Sequence, residues 1–170
     1  MDNKMRPHLI EVFREVFNSD NDKRKRVQVD INRHNFQQRR LLAVIKKEML
    51  KYTSLGFDLD IRPFKTVSLR TIEGYEYEFN GIPFSIHFDK RNISFEFIPE
   101  ANSAGKLQYE FMRYNNGAQT FCFGYLIWSK EKGDSKSHWY LEKNYNTYSL
   151  TSAEFDANGI AMLLTNMYTL

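Results

Sequence analysis

The chain has 170 residues, 42% apolar and 26% charged, with four Pro and eight Gly; this fits one folded domain with its own core and excludes a disordered or low-complexity chain. Its single cysteine, Cys122, excludes an intramolecular disulfide and a cysteine-based zinc site, and no run approaches the ~20 apolar residues of a membrane span. The net charge of +3 hides an asymmetry: Lys23 to Lys51 carries ten bases against Asp30 and Glu48, a net +8, and the remainder sums to −5.

Met1 to Pro7 is charged and lacks an apolar core, so no secretory signal is expected and a cytoplasmic setting is the default. Leu9, Val12, Phe13, Val16 and Phe17 recur at helical spacing and predict a short amphipathic helix. Asn18 to Asp22 reads as a polar loop that ends it. Val27, Val29 and Ile31 alternate with Gln28 and Asp30, which predicts a strand. Asn32 or Asn35 can cap a second helix running to about Tyr52, before Gly56.

From Phe57 the period changes to two. Phe57, Leu59 and Ile61 form one strand, and Val67 and Leu69 continue the pattern beyond Pro63. Tyr75 to Phe79, then Asn80-Gly81, then Ile82 to Phe88 predicts a hairpin closed by a two-residue type I′ turn, because Asn-Gly tolerates two positive φ angles. Pro83 has no amide proton and must face an edge or a bulge. Asp89 to Asn92 is the next turn, Ile93 to Phe97 the next strand, and Pro99 to Gly105 a loop. Leu107 to Tyr114, the turn Asn115-Asn116-Gly117 and Gln119 to Ser129 make a longer hairpin. Glu131 to Asp134 is an exposed turn, with short strands around Trp139 and Tyr148. Thr151-Ser-Ala-Glu154 has capping-box spacing ahead of a helix with Phe155, Ile160, Leu163, Leu164 and Met167, weakened by Gly159.

The sum is an α+β fold of one domain, residues 1–170. A basic helix–strand–helix region (1–55) leads into a curled antiparallel meander of about seven to nine strands (57–150). An N-terminal helical pair and a C-terminal helix (152–168) pack on that sheet. Fourteen Phe, ten Tyr and two Trp, 15% of the chain, favour a sheet-rich core. Period-two aromatics at Tyr109, Phe111, Phe121, Phe123, Tyr125, Trp128 and Trp139 are expected as that core, with a ligand cavity the alternative; Cys122 among them is expected as a buried structural thiol.

The basic segment is the first functional candidate. On a helix from His34 to Tyr52, Leu41, Leu42, Ile45, Met49 and Tyr52 share one arc, while Arg39, Arg40, Lys46, Lys47 and Lys51 share the opposite one with Phe36 among them. Lys23, Arg24, Lys25 and Arg26 are expected to add to the same field. Arg and Lys in that arrangement neutralise phosphates, and Phe36 offers a stacking surface for single strands. A solvated helix face would normally mix both signs of charge.

The second candidate is a polar sheet face. The hairpin registers place Glu76, Glu78, Ser85, His87, Ser94 and Glu96 on one side, where His87, Glu96 and Glu76 are weak candidates for acid–base or metal chemistry. The wet face of a half-buried sheet has the same pattern. No serine elbow, phosphate-cradling Gly-rich loop or His-Glu-x-x-His pair is present, and the nuclease-like fragments Asp89-Lys90 and Lys130-Glu131-Lys132 are misplaced for that role. No cofactor or metal is implied.

The expectation is therefore a non-enzymatic binding protein that docks a basic helix on nucleic acid or a ribonucleoprotein. An inhibitor or adaptor meeting an acidic protein surface is the alternative, and a metal-dependent nuclease or hydrolase the second alternative. Richness in Asn, Lys, Ile, Phe and Tyr suits an accessory protein of a bacterium, phage or mobile element.

Overall fold

The computed structural model describes residues 5–103, 106–129, 135–143 and 153–169, and it begins with one helix, α1 (Met5–Met49). The expected loop at Asn18 to Asp22 and strand at Val27 to Ile31 are both helical, so the N-terminal helical pair is a single element. Burial explains the misreading of the strand. Ile31 is buried while Val29 is 53% exposed, a 3.6-residue rather than a two-residue rhythm. Val27, Ile31, His34, Gln38, Leu41, Leu42, Ile45 and Met49 form one continuous i, i+4, i+7 stripe, and its polar members His34 and Gln38 disguised it.

The chain divides into two units, residues 1–34 and residues 35–170. In the first, Leu9, Ile10, Val12, Phe13, Val16 and Phe17 are all exposed, whereas Ile31 and His34 are buried. The second unit contains the last turns of α1 and everything after it.

There, α1 stops at Met49 and a 3-10 turn, Thr53–Leu55, ends on Gly56 with φ of 95°. Nine strands follow among the described residues: β1 (Phe57–Ile61), β2 (Lys65–Arg70), β3 (Glu76–Gly81), β4 (Phe84–Phe88), β5 (Ile93–Ala101), β6 (Leu107–Asn115), β7 (Ala118–Ser129), β8 (His138–Lys143) and β9 (Ala153–Glu154). Helix α2 (Ala157–Thr169) closes the described chain. Seven strands form one curled antiparallel sheet in the order β1-β4-β5-β6-β7-β8-β9, and β2 and β3 form a separate hairpin between β1 and β4. The class is α+β, and from β4 onward the large sheet is a meander.

The Asn80-Gly81 turn is not formed. β3 pairs with β2, Phe79 opposite Val67 and Glu76 opposite Arg70, and the turn between them uses Gly74 at φ of 88°. Gly81 lies in extended backbone for a different reason: a Cβ there would collide with the Pro99 ring. The type I′ geometry appears instead at Asn116 and Gly117, with φ of 50° and 77°, where Asn115 pairs with Ala118. Pro83 sits between strands and its carbonyl accepts from Arg62 N–H at 3.0 Å, which avoids the ladder as expected.

One face of the large sheet holds the core. Phe84 stacks on Phe97 at 4.4 Å between centroids, Phe97 on Phe111 at 4.7 Å, and Phe57 on Phe88 at 4.4 Å. Leu41, Leu42, Ile45 and Met49 of α1 join this cluster, as do Ile160, Leu163, Leu164 and Met167 of α2. Tyr109, Phe111 and Trp139 are core as expected; Tyr125 and Trp128 are half-buried, and the side chains of Phe121 and Phe123 lie outside the described set. Helix α2 begins later than its expected capping box. Ala153 and Glu154 are strand, Thr151 and Ser152 lie outside the described residues, and Asp156 is the cap, its Oδ1 accepting from Gly159 N–H at 2.9 Å. Gly159 is required because a Cβ would strike the Glu154 carbonyl. No helix among the described residues is long and apolar enough to cross a membrane.

Candidate polyanion-binding helix face

Within residues 35–170, the end of α1 separates its residues by face. Gln38, Leu41, Leu42, Ile45, Glu48 and Met49 are buried, while Phe36, Arg39, Arg40, Ala43, Val44, Lys46, Lys47 and Leu50 are exposed. At 100° per residue, Phe36, Ala43 and Leu50 form a nearly straight outward row. Arg39 and Lys46 run along one side of it, and Arg40 and Lys47 along the other. The Arg40 guanidinium lies 5.7 Å from the centroid of the Phe36 ring, so Phe36 is partnered by a cation rather than left bare.

Gln38 holds this segment in place. Its Nε2 donates to the Asn80 carbonyl at 2.9 Å and to Asn35 Oδ1 at 3.1 Å. Its Oε1 accepts from Ile82 N–H at 3.2 Å and from the Tyr109 hydroxyl at 2.9 Å. One buried amide thus ties helix, hairpin and sheet together, and burial pushes the Tyr109 phenol well above its usual range. The indole N–H of Trp139 adds a long contact to the Gln37 carbonyl at 3.4 Å. The outward direction of the basic rows follows from this inward anchor. Gln38 escaped sequence reading because a lone polar residue in an apolar stripe resembles noise; only its place on the stripe signals it.

The five-base arc is reduced by one. Lys51 lies beyond the helix end and its Nζ contacts both Glu48 carboxylate oxygens at 2.8 Å. That hydrogen bond raises the lysine pKa above its ordinary value. Among the described residues, no carboxylate lies within ion-pair distance of Arg39, Arg40, Lys46 or Lys47. Lys23, Arg24, Lys25 and Arg26 are exposed in the other unit. Being four consecutive helical residues, they point outward over about 300° of arc and cannot make one face.

The polar sheet face comes together only in part. Ser85 pairs with Glu96 and His87 with Ser94 across β4 and β5, as expected. Glu76 and Glu78 are absent from it, because β3 pairs with β2 and not with β4. The Ser85 hydroxyl is 2.9 Å from His87 Nε2, and Glu96 is engaged by the Arg62 guanidinium at 3.2 Å. No three His, Cys, Asp or Glu side chains among the described residues are grouped to hold a metal. His8 is exposed, and His138 Nδ1 contacts Glu154 at 2.7 Å. His34 is buried, and burial lowers its pKa to about 4. Asp89 and Lys90 form an exposed 3-10 turn, and Lys130 to Lys132 lie outside the described residues. Cys122 is half-buried rather than buried: a bulge sets it opposite Met112, and burial with the nearby Glu110 carboxylate raises its thiol pKa.

Comparison with protein-family models, curated proteins and solved structures finds no match to this chain.

Proposed function

We propose that the protein is a non-enzymatic binding protein that lays the basic face of α1, residues 36–47, on a nucleic acid or ribonucleoprotein. The observation carrying this reading is the pair of rows Arg39/Lys46 and Arg40/Lys47, with no acid among the described residues within ion-pair distance and held outward by the Gln38 anchor. Phosphates on either side of the Phe36 row would be neutralised by the two rows, and Phe36 would stack on an unpaired base. Four phosphate contacts predict a slope of about −3 in log affinity against log salt on a single-stranded oligonucleotide. Fluorescence anisotropy across a salt series measures it. Replacing Arg39, Arg40, Lys46 and Lys47 by Glu should reduce affinity by a factor on the order of a hundred or more at low salt. Binding that ignores salt, or no binding at low salt, removes the reading.

A second reading rests on the row itself. Phe36, Ala43 and Leu50 at i, i+7 and i+14 flanked by bases also suit an apolar groove with an acidic rim on a protein partner. A complex that survives nuclease treatment and is lost on Leu50→Glu favours that alternative.

A further inference from the structure

The first unit presents a surface of opposite character. Leu9, Ile10, Val12, Phe13, Val16 and Phe17 are 41% to 72% exposed and occupy roughly 160° of arc on α1. Together they leave on the order of 600 Å² of apolar surface per chain, the upper limit for the largest patch of an ordinary monomer. We infer that this face pairs with its own copy, two chains joining through α1 in antiparallel orientation about a two-fold axis near Arg14 and Glu15.

Area, charge and symmetry support that occupant. Two such faces can bury up to about 1,200 Å² together, which reaches the lower end of stable interfaces. A lipid surface is a poorer partner, because the patch itself, residues 9–17, carries Glu11 and Glu15 against Arg14 and this net negative charge does not draw it to anionic headgroups. A two-fold pair needs only one self-complementary patch, and Phe13 and Val16 fall opposite each other about that axis. The Lys23 to Arg26 cluster decides the direction. Parallel helices would set the two clusters side by side about 10 Å apart, near one screening length. The antiparallel pair moves them about 30 Å apart along the axis, beyond mutual repulsion. This surface is separate from the basic face, so the inference stands whatever becomes of the polyanion reading.

Sedimentation equilibrium of the full chain through the micromolar range tests it. The mass should rise with concentration from 20.3 kDa to twice that value. Phe13→Glu with Phe17→Glu should weaken association more than tenfold, with the far-ultraviolet spectrum retained, while Glu11→Ser on the polar side should leave it intact. Spin labels at Lys25→Cys in a Cys122→Ser background should lie about 30 Å apart. A chain that stays monomeric, or a dimer that persists in the double variant, overturns the inference. A label separation near the interhelical distance overturns the antiparallel arrangement, and co-sedimentation of the monomer with anionic vesicles assigns the face to a membrane instead.

Discussion

The two stretches of α1 carry the same kind of apolar stripe and meet opposite fates. Leu41, Ile45 and Met49 are 3%, 0% and 3% exposed, whereas Leu9, Phe13 and Phe17 are 50%, 72% and 66% exposed. Amphipathic periodicity states that a face requires a partner; it does not say whether the partner lies in the same chain. What sets the later stretch apart is specific polar anchoring. Gln38 supplies both halves of its amide to Asn80, Ile82 and Tyr109, and no comparable buried amide lies on residues 9–17.

The contrast can be broken or sharpened by mutation. The largest expected effect is at Ile45: aspartate there places a charge in the Phe-rich core and should cost more than about 4 kcal/mol, enough to abolish folding. Phe13→Asp should leave the urea midpoint of residues 35–170 unchanged when followed by fluorescence, since both tryptophans, Trp128 and Trp139, lie there. Equal losses at the two positions would erase the distinction between the stretches.

Gln38→Leu should cost about 2 to 4 kcal/mol, because it keeps the volume and strands the Asn80 carbonyl, the Ile82 amide and the Tyr109 hydroxyl. A loss under about 0.5 kcal/mol in urea unfolding would mean the anchor is decorative. His34 gives an effect of similar size that depends on pH. Its folded pKa of about 4 lies below the unfolded value of 6.5, so the ring is neutral in both states above pH 6.5 and the contribution is complete. As pH falls, the unfolded chain takes up the proton first, and stability declines until pH passes the folded value. The loss amounts to about 3 kcal/mol and levels off below. Urea midpoints of the wild type and of His34→Leu compared across pH 7 to 4 isolate it; parallel curves would refute it. The smallest effect belongs to Glu48→Gln, which frees Lys51. The unfolding midpoint should barely move, and polyanion affinity should rise by roughly twofold to threefold at low salt.

Much of the sheet was legible because strands such as β2 and β5 alternate between buried and more exposed residues, and β4 to β7 are sequential neighbours, as a meander has them, with the expected β4–β5 register intact. The errors have local causes. Three alternating apolar residues at 27, 29 and 31 satisfy two periods at once, and only the longer stripe through His34 and Gln38 separates them. Asn-Gly occurs at 80–81 and at 116–117, yet only the second pair turns the chain. At the first, glycine answers a close approach by Pro99, and that approach comes from a strand distant in sequence. Glu76 was lost from the polar face by the same pairing error. Among the basic residues, the segregation of Arg39, Arg40, Lys46 and Lys47 was readable from spacing, while the capture of Lys51 by Glu48 needed the helix end to be known.

The β2–β3 excursion has a consequence for protein engineering. It leaves the large sheet at Ile61 and returns at Phe84, and those two residues are paired neighbours on β1 and β4. Its tip, where Ile72 is 88% exposed and Gly74 makes the turn, is therefore suited to carry a grafted epitope or an inserted tag. Its root is not, because the return leg at Asn80 and Ile82 is gripped by Gln38 and Gly81 is wedged against Pro99. A display scaffold built on this chain should lengthen the tip and leave the last three residues before Pro83 untouched.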